Sequence, residues 1–144
     1  MCETAYAWLK GKTILFVDDR PDSMVLFIEW VKNNGGKILV RRTINGALNL
    51  MNSNHINFAV IDIFLDDNDN RLRDREFPVE QTGTNQGQLL GWELQNREPA
   101  IPYLYLTANS SWFVEREKEN KKMVFRKSSD TLNDFIEYVK SYLG

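Results

Sequence analysis

The sequence predicts an α/β domain built on a five-stranded, doubly wound parallel sheet, with a long loop after the third strand. Five short apolar runs alternate with stretches in which apolar residues recur at helical spacing. The runs are nearly continuous rather than alternating, as expected of strands covered on both faces. Strand–helix alternation is typical of a parallel sheet with right-handed crossovers. A chain of 144 residues fits one such domain with one hydrophobic core.

The apolar runs predict strands at 13–17, 37–40, 58–63, 101–107 and 123–126. Apolar residues at i, i+3, i+4 and i+7 predict helices around 24–31, 44–51 and 132–143, and a further helix is predicted over 87–97. A fifth helix is predicted over 111–122, where the apolar pattern is weak and an i,i+4 pair of Glu117 and Lys121 adds support.

Capping residues mark the ends of several predicted helices. Pro21 suits a first helical position, where a missing N–H is no loss. Gly35 and Gly36 suit a helix C-terminus, and Thr43 is a candidate N-cap.

The segment 66–86 lacks periodicity, and a loop of that length inside a compact domain is usually functional or disordered.

The composition narrows the class of protein. Hydrophobic residues make up 42% and charged residues 26%, and the net charge of −2 provides no basic surface for nucleic acid or membrane. Cys2 is the only cysteine, so an internal disulfide is impossible and a reducing compartment is expected. No apolar run approaches the roughly 20 residues needed to span a bilayer. These features predict a cytoplasmic domain.

Polar residues end four of the predicted strands. Ligands of such sheets bind beyond the carboxyl ends of the strands. The residues expected at this edge are Asp18 and Asp19 after the first strand, Asp62 near the end of the third, Thr107 at the end of the fourth and Lys127 after the fifth.

Three carboxylates brought together repel one another unless a cation joins them. Hard divalent ions such as Mg²⁺ bind oxygen ligands of this kind. A carboxylate beside such an ion can act as a nucleophile toward phosphorus. We therefore expect phosphoryl transfer to Asp62, with positive charge from the metal and Lys127, and a hydrogen bond from Thr107 to a phosphoryl oxygen. Asp18 and Asp19 alone are equally well explained as a strand end and helix start.

Four short segments that carry these residues resemble the signature segments of response-regulator receiver domains of two-component signalling. The segments are Phe16-Val17-Asp18-Asp19, Val60-Ile61-Asp62-Ile63, Leu106-Thr107-Ala108 and Lys127. Each is common by chance, whereas all four in order, each at a strand end, are far more specific. The resemblance runs from about Lys12 to Leu143, which makes 1–11 an N-terminal extension and 12–144 the receiver domain.

The resemblance implies a chemotaxis-regulator-like, flavodoxin-like fold with strand order 2-1-3-4-5. It implies that Asp62 is phosphorylated by a histidine kinase or phosphotransfer protein, and that the domain signals to a downstream protein partner rather than acting as an enzyme. It also implies a Mg²⁺ site, which Mn²⁺ could share, formed by Asp18, Asp19, Asp62 and the backbone carbonyl of Phe64.

The sequence departs from the family pattern in several places. The connection from Asp62 to Gly87 is unusually long. Ser128 replaces the proline that usually follows the lysine, and Arg20-Pro21 is an unusual pair after the acidic residues. The aromatic residue usually found three positions before the lysine is Val124 here, with Phe125 one place off.

Alternative interpretations remain for the other polar segments. The chain could be a receiver-like interaction module that acts independently of phosphorylation through the 66–86 loop. Asp66, Asp67 and Asp69 resemble the start of a calcium loop, but the residues expected next are missing, which favours a solvated acidic loop. His55 is expected at the surface, and Tyr6, Trp8 and Leu9 either pack against the domain or contact a partner.

Overall fold

The computed structural model describes residues 3–65, 70–72, 86–108 and 113–144, and the side chains from residue 6 onward. Its centre is a five-stranded sheet in the order β2-β1-β3-β4-β5, with all neighbouring strands parallel. The strands are β1 Thr13–Val17, β2 Lys37–Arg41, β3 Phe58–Asp62, β4 Tyr103–Thr107 and β5 Val124–Arg126. The predicted fold class and strand order are confirmed.

Four α-helices accompany the strands in the described part of the chain. They are α1 Val25–Asn33, α2 Ile44–Ser53, α3 Gln86–Gln95 and α4 Leu132–Leu143. Short 3₁₀ turns occupy Glu3–Leu9, Pro21–Met24, Lys121–Met123 and Ser129–Thr131. None of the helices in these ranges is long and apolar enough to cross a bilayer.

The predicted helix ends agree with the local geometry. Pro21 begins the 3₁₀ turn that leads into α1. Gly35 adopts a φ of +96°, which glycine tolerates, two residues after α1 ends at Asn33. The Thr43 hydroxyl accepts a 2.9 Å hydrogen bond from the Gly46 N–H and caps α2.

Each face of the sheet carries its own hydrophobic cluster. Helices α1 and α4 contribute Phe27, Val31, Phe135 and Val139 to the cluster on one face. Helices α2 and α3 contribute to the cluster on the other face, with Ala47, Leu48, Leu90 and Leu94 among its members. All five residues of β3 are buried, because helices cover the central strand on both faces. This burial sets Asp62 in an apolar surrounding.

The predicted helix over 111–122 is wrong where the structure describes that segment. Residues 113–120 form no helix, and Lys118 has a φ of +70°, which a helix does not accommodate. The buried carboxylate of Glu119 accepts hydrogen bonds from Arg116, Tyr103, Tyr105 and Gln88. The polar side chains thus point into the domain, whereas a surface helix would expose its polar side chains and bury an apolar face.

Hydrogen bonds of the same network connect segment 113–120 to α3. The Gln88 side chain accepts from the Val114 N–H at 3.1 Å and donates to the Val114 carbonyl at 2.7 Å. Burial raises the pKa of Tyr103 to about 12, and it also raises the pKa of Tyr105. Both hydroxyls therefore remain protonated at neutral pH and donate to Glu119.

Part of the long loop after β3 is anchored to the domain. Asn70 donates to the side-chain carbonyl of Gln86 at 3.0 Å, and both residues are buried. Arg71 donates to the side chains of Asn45 and Asn49 on α2. Residues 66–69 and 73–85 of the loop, which include Asp66, Asp67 and Asp69 of the calcium interpretation, lie outside the described residues.

The N-terminal segment packs against the domain. Leu9 is fully buried in the cluster under α1 and α4. Tyr6 and Trp8 are partly buried, and their rings lie 5.1 and 6.5 Å from the ring of Trp30 on α1. Of the two expected roles for these residues, packing against the domain is the observed one.

Candidate functional site

A cleft of about 400 Å³ opens at the carboxyl ends of β1, β3 and β5. Parallel strands present their carboxyl ends at one edge, and this is where such folds bind ligands. The residues that line the cleft are Asp18, Asp19, Arg20, Ser23, Asp62, Phe64, Ala108 and Lys127.

Three carboxylates meet in this cleft. Asp18 directly follows β1, and its N–H extends the pairing with β2 by donating to the Arg41 carbonyl at 3.1 Å. Asp62 is the last residue of β3. One oxygen from each of Asp18, Asp19 and Asp62 lies within 4.8 Å of the other two. Asp18 and Asp62 are only 1% and 5% exposed, so little water reaches their charges.

Lys127 forms ion pairs with two of these carboxylates. It directly follows β5, and its N–H donates to the Thr107 carbonyl at 3.0 Å, which ties the residue to the end of β4. Its ammonium nitrogen lies 2.8 Å from Oδ2 of Asp18 and 3.1 Å from Oδ2 of Asp62. The sequence placed these residues at one edge of the sheet, and the structure brings them into contact.

The pKa values of the three carboxyl groups diverge. The pKa of Asp62 is raised to about 6, mainly by burial, while Lys127 acts to lower it and the charge of Asp18 acts to raise it. Burial acts in the same direction on Asp18, but hydrogen bonds from Lys127, Arg20 and Ser23 outweigh it, and the pKa of Asp18 is lowered. Burial, followed by the proximity of Asp18, raises the pKa of Asp19. The negative charge of the cluster is therefore held most firmly at Asp18.

Ser23 is a member of the cleft that the sequence did not indicate. Its hydroxyl donates to Oδ2 of Asp18 at 2.7 Å and accepts from the Lys127 ammonium at 2.9 Å. The 3₁₀ turn that begins at Pro21 brings Ser23 back over the end of β1. No local pattern in the sequence marks Ser23 as a residue of the cleft.

Phe64 and Thr107 take different positions relative to the cleft. The Phe64 N–H donates to Oδ1 of Asp62 at 3.0 Å, and its half-buried side chain lines the cleft. Thr107 is the last residue of β4 and is fully buried, while its neighbour Ala108 contributes to the lining. The metal-binding role of the Phe64 carbonyl and the phosphoryl contact of Thr107 stay predictions.

Helix α3 begins directly against the end of β3. The Gly87 N–H donates to the Ile63 carbonyl at 3.0 Å, and a Cβ at position 87 would lie 2.0 Å from the Asp62 carbonyl oxygen. Only glycine allows this approach without displacing backbone. The start of α3 is therefore packed against the backbone of the central carboxylate.

Val124 and Phe125 belong to opposite faces of the sheet. Val124 packs with the cluster under α2 and α3, whereas the ring of Phe125 lies 5.7 Å from that of Tyr138 on α4. An aromatic residue one position off the family pattern therefore reaches the other face.

His55 is exposed and precedes β3, at the end of that strand opposite Asp62, in agreement with the expected surface position.

The oxygen donors of the cleft fit a divalent cation. Three carboxylates within 4.8 Å of one another carry more negative charge than the single ammonium of Lys127 neutralises. Oxygen ligands of this type are those that Mg²⁺ prefers, and a cation would relieve the remaining repulsion.

Solved structures of response regulators resemble this chain over most of its length. No protein-family model and no curated protein matches the sequence. Response regulator TrrA from Thermotoga maritima, in complex with Mg²⁺-BeF, is 22% identical, with a TM-score of 0.62 over 92% of this chain and 99% of that one. The same regulator, in complex with histidine kinase ThkA, gives 20% identity and a TM-score of 0.60 over 92% and 99% of the two chains.

A CheY-like receiver domain from Methylobacillus flagellatus is 13% identical, with a TM-score of 0.63 over 92% of this chain and 99% of that one. At these identities the likeness concerns the fold, and it extends over nearly the full length of both chains. The structural neighbours are receiver domains, and this chain has the fold of a response-regulator receiver domain.

Proposed function

We propose that this chain is a phosphoacceptor receiver domain of a two-component phosphorelay, phosphorylated on Asp62 with Mg²⁺ bound beside it. One observation carries the proposal. A buried carboxylate at the end of the central strand meets two further carboxylates and a lysine ammonium, in a cleft open to a phosphodonor. The receiver fold supports the same function.

Asp18, Asp19, Asp62 and the Phe64 carbonyl would hold the metal. Mg²⁺ supplies positive charge that offsets the carboxylates and the incoming phosphoryl oxygens, and Mn²⁺ could take its place. The regulator TrrA, which this chain resembles in fold, has been solved with Mg²⁺-BeF.

The proposed reaction forms one bond and breaks another. A carboxylate oxygen of Asp62 forms a bond to phosphorus while the phosphorus–nitrogen bond to the histidine of the donor breaks, and the histidine nitrogen keeps the electron pair. Lys127 already lies 3.1 Å from Asp62 Oδ2 and would neutralise charge on the phosphoryl group. Thr107 would donate its hydroxyl hydrogen bond to a phosphoryl oxygen.

A histidine kinase or phosphotransfer protein is the proposed phosphodonor, and a protein is the proposed downstream partner. TrrA has been solved with histidine kinase ThkA, which supports a kinase partner for a domain of the same fold. The net charge of −2 gives no support for direct binding to nucleic acid or membrane.

A second candidate function is a phosphate-independent interaction module that acts through segment 66–86. The anchoring of Asn70 to Gln86 and of Arg71 to α2 favours it, because a loop fixed at residues 70–72 presents a defined surface. The first function depends on Asp62, whereas the second does not.

Labelling with a small phosphoramidate donor separates the two functions. The unaltered protein should acquire phosphate in Mg²⁺ and none in EDTA, and Asp62→Asn should acquire none. Asp134→Asn is the matched control, since Asp134 is exposed on α4 and does not line the cleft. Labelling of Asp62→Asn equal to that of the control would reject phosphorylation of Asp62, and absence of labelling of the unaltered protein in Mg²⁺ would favour the interaction module.

A further inference from the structure

Ser23 lies at the rim of the cleft, where its hydroxyl is fixed by more than one contact. Its N–H donates to the Arg20 carbonyl at 3.0 Å, and its hydroxyl oxygen lies 2.8 Å from the same carbonyl oxygen. The hydroxyl also lies 2.7 Å from Oδ2 of Asp18. These contacts arise because Pro21 starts a tight turn immediately after the acidic pair. The orientation of the side chain is therefore set by the local backbone.

The Lys127 ammonium has three N–H groups and three oxygen acceptors around it. Asp18 Oδ2, Ser23 Oγ and Asp62 Oδ2 lie at 2.8, 2.9 and 3.1 Å. The side chain of Lys127 is only 10% exposed. The ammonium is thus held between two of the carboxylates that a divalent cation would bind.

We infer that Ser23 is a positioning residue that holds the Lys127 ammonium between Asp18 and Asp62, so that the lysine competes with the divalent cation for these carboxylates. The inference deepens the proposed function and depends on it. Both Ser23 and Lys127 donate to the same oxygen of Asp18, so a cation that takes this oxygen must disturb both hydrogen bonds. Ser23 would accordingly set how much metal the cleft requires before it can accept phosphate.

Mg²⁺ affinity is the quantity that tests this role. Ser23→Ala removes the acceptor of one Lys127 hydrogen bond and frees the ammonium to leave Asp18. Loss of a hydrogen bond of this kind should tighten Mg²⁺ binding about two- to tenfold, measured by isothermal titration calorimetry. Ser23→Thr keeps a hydroxyl and should bind Mg²⁺ like the unaltered protein.

Ser141→Ala is the matched control. Its hydroxyl donates to a helix carbonyl of α4, away from the cleft, so its removal should leave Mg²⁺ affinity unchanged. A second readout needs no metal. Ser23→Ala should lower the melting temperature in EDTA relative to Ser23→Thr, because Asp18 loses a donor in the metal-free protein.

A double-mutant cycle shows whether Ser23 acts through Lys127. In a Lys127→Ala background, Ser23→Ala should have no further effect on Mg²⁺ affinity. The inference is overturned if Ser23→Ala leaves the affinity of the unaltered protein unchanged or weakens it. It is also overturned if the variant tightens binding equally in both backgrounds, since Ser23 would then act on Asp18 alone.

The same titrations separate this inference from the proposed function. If the unaltered protein shows no Mg²⁺ binding, the proposed metal-dependent function fails and the inference fails with it. If the unaltered protein binds Mg²⁺ and Ser23→Ala behaves identically, only the role of Ser23 is rejected.

Discussion

The ammonium nitrogen of Lys127 lies 3.1 Å from Oδ2 of Asp62, although 65 positions separate the two residues in the sequence. The contact forms because Asp62 ends the central strand and Lys127 follows the edge strand, and parallel strands present these ends at one side of the sheet. It gives the buried carboxylate a partial counterion. Burial nevertheless raises the pKa of Asp62 to about 6, so the ammonium compensates only part of the cost of burying this charge.

The first prediction concerns the pH dependence of stability in EDTA. The pKa of Asp62 is about 6 in the folded protein, against an ordinary value of 3.8. Because the folded pKa is raised, the folded state favours the protonated carboxyl, and stability is lost as the pH rises from about 4 to about 6. Asp62→Asn has no charge to lose, so its free energy of unfolding should exceed that of the unaltered protein by about 1–3 kcal/mol at pH 7.

Urea unfolding of both proteins at several pH values measures this difference. The advantage of Asp62→Asn should shrink as the pH falls from about 6 to below about 4, because the carboxyl group of the unaltered protein is protonated in both the folded and the unfolded state only below its unfolded pKa. An advantage that does not vary with pH would show that the carboxyl group is not strained by burial.

The second prediction concerns Asp19. Burial and the neighbouring Asp18 raise the pKa of Asp19, so its negative charge is unfavourable in the metal-free cleft at neutral pH. Asp19→Asn should raise the melting temperature in EDTA and weaken Mg²⁺ binding, as functional clusters often lower stability. Calorimetry in EDTA and a Mg²⁺ titration measure the two effects, with Asp134→Asn as the control. A lower melting temperature would identify Asp19 as a structural residue.

The third prediction concerns the lifetime of the phosphorylated state. Hydrolysis needs a water molecule aligned opposite the Asp62 oxygen, and the half-buried side chain of Phe64 lines the cleft beside that residue. Phenylalanine has no group to orient a water molecule or accept its proton, and general acid–base assistance is commonly worth about 10²–10⁴-fold in rate. We therefore expect slow dephosphorylation, and replacing Phe64 by Asn or Glu should accelerate it.

Loss of phosphate with time at one Mg²⁺ concentration compares these proteins. Equal lifetimes, or a longer one in the Phe64 variants, would mean that another group controls the rate. The resemblance to receiver domains implies a second residue facing the phosphoryl group at Asn109, two positions past Thr107, and Asn109 lies outside the described residues.

The fourth prediction concerns the buried pair of Arg116 and Glu119, which are 4% and 6% exposed. Glu119→Gln removes the negative charge opposite a buried guanidinium, and an uncompensated buried charge costs about 3–5 kcal/mol. Glu117→Gln changes an exposed residue two positions away and should alter stability by less than about 0.5 kcal/mol. Urea unfolding measures both, and equal effects would show that the network does not fix segment 113–120.

The sequence predicted those parts of the fold in which the apolar pattern of a strand or helix is visible within its own residues. The apolar runs of the strands placed Asp18, Asp62 and Lys127 at strand ends, and their meeting followed from parallel topology. The resemblance to receiver domains supplied the strand order. The prediction of a helix over 111–122 was wrong because Arg116 and Glu119, charged residues with good helix propensity, are buried and form hydrogen bonds with Tyr103 and Tyr105 of β4.

The position of Ser23 in the cleft could not be predicted from the sequence for a related reason. Nothing about a serine five positions after Asp18 marks it as a cleft residue. Its role depends on the turn that begins at Pro21 and on Lys127, 104 positions away. Side chains that matter only through such contacts have no local pattern by which sequence could identify them.

Locating the phosphoryl group in the chain tests whether Asp62 is the phosphoacceptor. The protein is treated with a phosphoramidate donor and Mg²⁺ and then reduced with borohydride, which converts an aspartyl phosphate to homoserine, and the peptides are analysed by mass spectrometry. Phosphorylation of Asp62 with Mg²⁺ should give homoserine at position 62 after treatment in Mg²⁺ and none after treatment in EDTA. Conversion at a different aspartate, or equal conversion of Asp62 with and without the metal, would contradict it.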